Sequence, residues 1–237
     1  MHAVILAGGK GVRLRPYTTT MPKPLVPLGD ECAILEVVLR QLKYFGFTSI
    51  TIALGHLGPM IEAYVRGGDR WNLEVDYAYE DTPLGTIGPI LNLLDRLPDH
   101  FLVMNGDILT DLNYGTLLKT HAASGRPLTV GTYLRDVKID FGVLHGEDGL
   151  IKTFTEKPTL NYDVSMGVYG LSKKTLEPYP KGVPFGFDNL MLDLLAKQDY
   201  PASFRFAGYW LDIGRPEDYD LANKQFVELH DLFLPKS

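Results

Sequence analysis

The chain has 237 residues, 45% hydrophobic and 22% charged, with a formal net charge of -6 carried by both signs along its length. This composition suits a soluble globular protein with one sizeable core and excludes the basic footprint of a nucleic-acid binder. A single cysteine, Cys32, rules out an internal disulfide, and neither a basic leader nor a long apolar span opens the sequence, so the expected setting is the cytoplasm, away from membranes.

Apolar runs rich in Val, Ile and Leu predict strands over 3–7, 50–54, 75–79 and 101–104, and helical spacing predicts helices over 34–45, 60–65, 87–97 and 112–123 between and after them. Such alternation builds a doubly wound α/β sheet. The order then changes: strands are expected over 128–133, 142–145, 150–155 and 168–171, with Gly-Glu-Asp-Gly turning between two of them. A mixed sheet or β-rich lobe follows. A helix over 190–197, a strand over 203–206 and a closing helix over 216–229 complete one domain, with Pro216 suited to a first helical position. In open α/β sheets ligands bind beyond the carboxyl ends of the strands, so the loops after Ala7, Tyr79 and Met104 should share one edge.

The first of these loops, Leu6-Ala7-Gly8-Gly9-Lys10-Gly11-Val12-Arg13, reads as a phosphate cradle. Its glycines let backbone N–H groups approach an anion, and Lys10, Arg13, Arg15 and Lys23 supply charge. A dinucleotide fingerprint would need glycine where Leu14 stands, and a P-loop would need Gly-Lys followed by Ser or Thr. Both are excluded. Pro22 and Pro24 bracket Lys23 and are expected to hold its backbone extended and its stem fixed.

The second loop, Tyr-Glu-Asp-Thr-Pro-Leu-Gly-Thr-Ile-Gly over 79–88, offers Gly85 and Gly88 for close approach and an acceptor-only carboxylate at Glu80 or Asp81. Guanine presents N1–H and N2–H side by side and suits such an acceptor. An acidic turn that merely caps a helix is the competing reading. In the third loop an apolar strand ends in Asn105-Gly106-Asp107, where a carboxylate serves a hard cation better than it serves packing. Asp212, before Gly214 and the last helix, is its expected partner. Glu156-Lys157-Pro158 closes a strand and could reach a cleft. The six histidines lack metal spacing and no Gly-x-Ser-x-Gly elbow exists, which discounts a zinc site and a hydrolase triad.

Taken together, in order along nearly the whole chain, these motifs resemble the sugar-1-phosphate nucleotidyltransferases, also called nucleoside-diphosphate-sugar pyrophosphorylases. The resemblance implies a Rossmann-like three-layer sandwich with a mostly parallel mixed central sheet and a small β-rich sugar-binding lobe, over a single domain spanning 1–237 without a C-terminal β-helix. It implies attack of a sugar 1-phosphate on the α-phosphate of a nucleoside triphosphate, with release of pyrophosphate. The partners would be those two substrates, without nucleic acid or membrane, and a homo-oligomer stays open.

Carried over residue by residue, Arg13 would hold the leaving pyrophosphate, Lys23 would lie where the two phosphates meet, and Asp107 and Asp212 would hold Mg²⁺. Leu6, Gly8, Gly9, Gly11, Glu80, Gly85 and Asn105 would face the nucleotide. Gly142, Glu156, Lys157 and Ser165 would face the sugar and its phosphate. Val12 departs from the Thr or Ser usual in the family, and Ser165-Met166 replaces a frequent Asn-Ala. The Pro-Leu-Gly-Thr stretch is most similar to guanylyltransferases for mannose- or heptose-type sugars, which puts GTP ahead of UTP, dTTP, CTP and ATP. A non-catalytic sensor of nucleotide sugars would be expected to lack Arg13, Lys23 or the aspartate pair, and a glycosyltransferase would carry Asp-x-Asp where Asn-Gly-Asp stands here.

Overall fold

A computed structural model describes residues 1–80 and 82–234. The first half comprises β1 (His2–Ala7), β2 (Pro27–Leu28), β3 (Cys32–Ala33), α1 (Ile34–Tyr44), β4 (Ser49–Leu54), α2 (Gly58–Val65), β5 (Glu74–Tyr79), α3 (Gly88–Leu93), β6 (His100–Asn105), β7 (Ile108–Thr110) and α4 (Tyr114–Ser124). The second half comprises β8 (Leu128–Lys138), β9 (Val143–Glu147), β10 (Leu150–Thr155), β11 (Thr159–Ser172), α5 (Lys173–Leu176), α6 (Phe187–Ala196), β12 (Ala202–Phe206), β13 (Trp210–Asp212), α7 (Pro216–Glu228) and α8 (His230–Phe233).

Seven strands form the central sheet in the order β12-β8-β11-β6-β1-β4-β5. Only β11 runs against its neighbours, so the sheet is mixed and mostly parallel. The interior strand β1 is apolar after His2 and alternates between two cores, as the period of two requires. Ala3, Ile5 and Ala7 pack under α1, α2 and α4, while Val4 faces the opposite layer with Ile90 of α3 and Leu190 of α6. A third cluster, built around Leu14, Leu109, Ile213 and Phe226, fastens α7 and α8 beside the first loop.

Local signals account for several boundaries. Asn113 caps α4 by accepting the Thr116 N–H at 2.9 Å, and Gly125 ends it in the left-handed region at φ 64°. Asp148 and Gly149, both at positive φ, make the tight turn between β9 and β10. The helix expected over 87–97 is shorter: α3 stops at Leu93, a 3-10 turn covers Leu94–Arg96, and Leu97 is extended. Pro98 disfavours helical backbone at the residue before it.

The strands expected over 128–133 and 168–171 are parts of much longer ones, the 11-residue β8 and the 14-residue β11. Their outer halves leave the sheet as a two-stranded arm beside the β9–β10 ribbon, exposed on both faces and therefore without a clear alternation. No described helix is long and apolar enough to cross a membrane. Cys32 is buried, and burial first, with nearby Glu36 and Glu31, pushes its thiol up to about 12, as fits a packing residue.

Candidate active site

The parallel strands β1, β4, β5 and β6 end along one edge, so the loops after Ala7, Tyr79 and Met104 do share it. The register Leu6↔Asn105 sets the first and third loops side by side, and Gly106 N–H donates to Leu6 O at 3.1 Å. The short pair β7–β13 then brings in the chain's far end. Asp212 lies opposite Ile108, and Ile213 N–H donates to Asp107 O at 3.3 Å, so two aspartates more than a hundred positions apart become neighbours.

Lys23 is buried, and its Nζ lies 2.5 Å from Asp107 Oδ2. Its backbone is not extended as the flanking prolines suggest. Lys23–Leu25 forms one 3-10 turn, closed by Leu25 N–H to Pro22 O at 2.9 Å and Val26 N–H to Lys23 O at 3.1 Å. Pro24 fits because a first-turn residue needs no N–H donor. Asp107 Oδ1 is buried without a hydrogen-bond partner. The Asp212 carboxyl is pushed above the usual carboxylate range by burial first and by the Asp107 charge second, against the pull of Lys23 and Arg13. An orphaned carboxylate oxygen beside a second, electrostatically strained carboxylate fits a divalent cation. Among the described residues no group of three or more His, Cys, Asp or Glu could hold a metal ion, and Mg²⁺ characteristically takes one or two carboxylates together with substrate phosphates and waters.

Two adjoining clefts meet at Arg13 and Gly214. One, of about 270 Å³, is lined by Leu6, Gly9, Gly11, Arg13, Lys23 and Asp107. The other, of about 370 Å³, is lined by Arg13, Tyr133, Arg135, Trp210, Asp212 and Arg215 among others. Gly11 adopts φ 59° and starts the 3-10 turn Val12–Leu14. A Cβ there would meet Thr18 at 3.1 Å and Lys23 at 3.3 Å, and Thr18 Oγ1 donates to Gly11 O at 2.7 Å. Thr18 thus ties the cradle to Lys23, a link without a sequence signal. Val12 is 54% exposed and lines the cleft, where an apolar side chain stands in place of a hydroxyl.

Glu80 joins two loops. Its Oε2 accepts the Leu84 N–H at 2.9 Å, closing the turn, and its Oε1 stands over Gly8, 3.0 Å from where a Cβ would be. Burial raises its carboxyl above the usual range, against the Leu84 hydrogen bond. Asp81 lies outside the described residues. The close approach allowed by Gly85 is to the chain itself: at φ 79°, a Cβ would lie 2.9 Å from Phe185 O, and Phe185 N–H donates to Leu84 O at 2.8 Å. The segment leading into α6 therefore backs this loop, a neighbour that sequence reading misses.

Asn105 packs on Gly167, which takes φ 73° where β11 bulges between Ser165 and Tyr169. Ser165 accepts the Gly167 N–H at 3.3 Å, so Asn105 and Ser165 both touch Gly167 at that bulge. Gly142 and Glu156 also meet, at the open end of the β9–β10 ribbon. Lys157, at φ 41°, follows in the turn after β10 with its Nζ 3.9 Å from Glu156 Oε1. Both charged side chains are exposed, and neither they nor Gly142 line the two clefts.

Comparison with known proteins gives the chain a family. The nucleotidyl transferase family matches residues 2–228, and the chain belongs to that family. It is 31% identical to the UTP--glucose-1-phosphate uridylyltransferase of a Synechocystis species over 92% of this chain and 61% of that protein. It is 33% identical to the mannose-1-phosphate guanyltransferase of Schizosaccharomyces pombe over 92% of this chain and 62% of that one. The chain thus spans about three fifths of the length of these two relatives. Among solved structures, HddC from Yersinia pseudotuberculosis superposes with a TM-score of 0.74 at 30% identity, covering 95% of this chain and 99% of the other. The same protein complexed with GMP-PN gives 0.72 at 30% identity, with the same coverage.

Proposed function

We propose that the protein transfers a nucleoside monophosphate from a triphosphate to a sugar 1-phosphate, releasing pyrophosphate, with GTP as the preferred donor. The observation that carries this reading is the convergence of Lys23, Asp107, Asp212 and Arg13 on two joined clefts at the carboxyl edge of a Rossmann-like sheet. In-line transfer at phosphorus needs positioning and charge neutralisation more than covalent help. Such a set of groups supplies both.

In this reading Arg13 holds the leaving pyrophosphate and Lys23 stands where donor and acceptor phosphates meet, its ammonium kept in place by Asp107. Asp107 and Asp212 would hold Mg²⁺, which when bound neutralises phosphate charge and orients the reacting groups. Leu6, Gly8, Gly9 and Gly11 bring backbone to the nucleotide, with Glu80, Gly85 and Asn105 around the base and ribose. Gly142, Glu156, Lys157 and Ser165 would serve the sugar side, the first three from the end of the β9–β10 ribbon. Guanine is favoured by the acceptor-only carboxylate at Glu80 and by relatives that include a mannose-1-phosphate guanyltransferase and a structure complexed with GMP-PN. Pyrophosphate release from GTP, ATP, UTP, CTP and dTTP against a panel of sugar 1-phosphates is the test. Preference for GTP is expected; preference for another donor overturns the base assignment, and release from no pair overturns the activity.

A further inference from the structure

The larger cleft is ordered along its length. On β13, Asp212 and Trp210 are two residues apart and so share a face; on β8, Tyr133 and Arg135 do the same. The Tyr133 and Trp210 rings meet with centroids 5.3 Å apart, and Trp210 is held by its Nε1–H donating to Met166 O at 3.1 Å. From the reacting end outward the sequence of groups is therefore carboxylate and Arg13, then an aromatic wall, then Arg135, with Arg215 on the flank where α7 begins.

Charge along this path is uneven. Asp218, the other acid in the cleft, is engaged by the N–H groups of Gly214 at 3.2 Å and Arg215 at 2.8 Å. Two acids beside Arg135 in sequence and register are engaged elsewhere: Asp136, next along β8, accepts from Asn161 at 2.5 Å, and Asp163, opposite Leu134, pairs with Arg205 at 2.8 Å. Among the described residues neither Arg135 nor Arg215 forms an ion pair, so both guanidinium groups are available to an incoming anion. Arg135 lies two residues beyond Tyr133 on β8, a rise of about 6.6 Å, the scale of one pyranose ring. A sugar lying on the aromatic wall with its 1-phosphate toward Asp212 would bring its far substituent to Arg135.

We propose that the acceptor carries a second anionic group besides its 1-phosphate, a phosphate ester or a carboxylate, and that Arg135, flanked by Arg215, binds it. A guanidinium offers a planar fork that matches either oxyanion bidentately. The inference rests on the transfer reaction proposed above for the identity of the acceptor.

Calorimetric binding to the full chain, without triphosphate, compares glucose and mannose 1-phosphates with the corresponding 1,6-bisphosphates and hexuronic acid 1-phosphates. At least one doubly anionic class should bind about tenfold or more tighter than its parent, and the bisphosphate and uronate arms tell the two anions apart. Arg135→Ala should remove most of that advantage, and Arg135→Lys should restore part of it. Equal or weaker binding of both doubly anionic classes overturns the inference, as does loss of the same factor for parent and doubly anionic ligands in Arg135→Ala and Arg215→Ala. Pyrophosphate release with the same sugars separates the two readings. Release from no donor and acceptor pair overturns the transfer while an Arg135-dependent preference in binding still supports the second-anion site. Release with the singly anionic sugars at higher kcat/KM than with either doubly anionic class overturns the inference and leaves the transfer standing.

Discussion

The Lys23 ammonium lies 2.5 Å from Asp107 Oδ2, while Oδ1 of the same carboxylate is buried without a hydrogen-bond partner. One oxygen therefore holds the cation of the protein, and the other is left to accept from a group outside it, as a bound divalent cation would let it do. A buried acceptor left in this state costs free energy, which a bound cation would return.

Asp107→Asn removes the charge that both positive groups need. Mg²⁺-dependent pyrophosphate release should fall by on the order of a hundredfold or more. Stability should also drop, by roughly 1–3 kcal/mol, because the buried Lys23 ammonium loses its counter-charge. Turnover assays and urea denaturation read the two effects separately, and unchanged turnover would remove Asp107 from the metal site.

Asp212→Asn should act on stability in the opposite direction. Burial and the Asp107 charge raise the Asp212 carboxyl, so its ionised form is disfavoured in the folded state, and at neutral pH that charge is a cost. The metal-free variant should melt higher, by about 2–4 °C if the relief is near 1 kcal/mol in a chain of this size. Mg²⁺ with nucleotide should raise the melting temperature of the parent protein and not of the variant. A variant that melts lower without metal contradicts the strain at this pair.

Gly11→Ala tests the cradle. The left-handed backbone at φ 59° and the approach to Thr18 at 3.1 Å both penalise a methyl group. A loss of about 1–2 kcal/mol is expected from the backbone alone, together with slower turnover because Lys23 is packed on the same residue. An unchanged denaturation midpoint would show that this turn tolerates a side chain.

His121 predicts a pH dependence away from the site. Its ring is fully buried, with Nδ1 2.9 Å from Thr129 Oγ1 and Nε2 3.0 Å from Ser172 Oγ, and burial first, then nearby His100, holds its pKa down to about 4. The unfolded chain binds this proton near pH 6.5 and the folded chain does not until about pH 4, so the stabilising effect is present above 6.5 and is lost as pH falls between those values. Each unit of the difference corresponds to about 1.4 kcal/mol at full effect. The stability difference between the parent protein and His121→Gln should therefore grow with pH from about 4 to 6.5 and then level off. A flat difference in urea titrations across that range would show that the ring titrates normally.

The strands of the doubly wound half were legible because each is a short apolar run. In β1, burial on both faces leaves no polar position after His2 to blur the pattern. The arm was legible only in part, since residues exposed on both faces of β8 and β11 carry no alternation. In the candidate site, Gly11, Arg13, Lys23 and Asp107 could be named from residue type and loop position. Thr18, the backbone of Phe185 and the paired strands β7 and β13 could not, because each acts through a contact between distant stretches.

By itself, then, the sequence determined where the parallel strands β1, β4, β5 and β6 end and which loops there carry glycine, cation and carboxylate, since chain-local sterics and hydrophobic period act over a few residues. Only the tertiary structure decided what those groups do to one another. It set Asp212 beside Asp107 through the β7–β13 ladder, turned one Asp107 oxygen to Lys23 and left the other bare, and gave the close approach of Gly85 to the chain's own backbone. Charge strain and steric approach depend on distance in space, and that distance exists only once the far end of the chain has folded back onto the first loop.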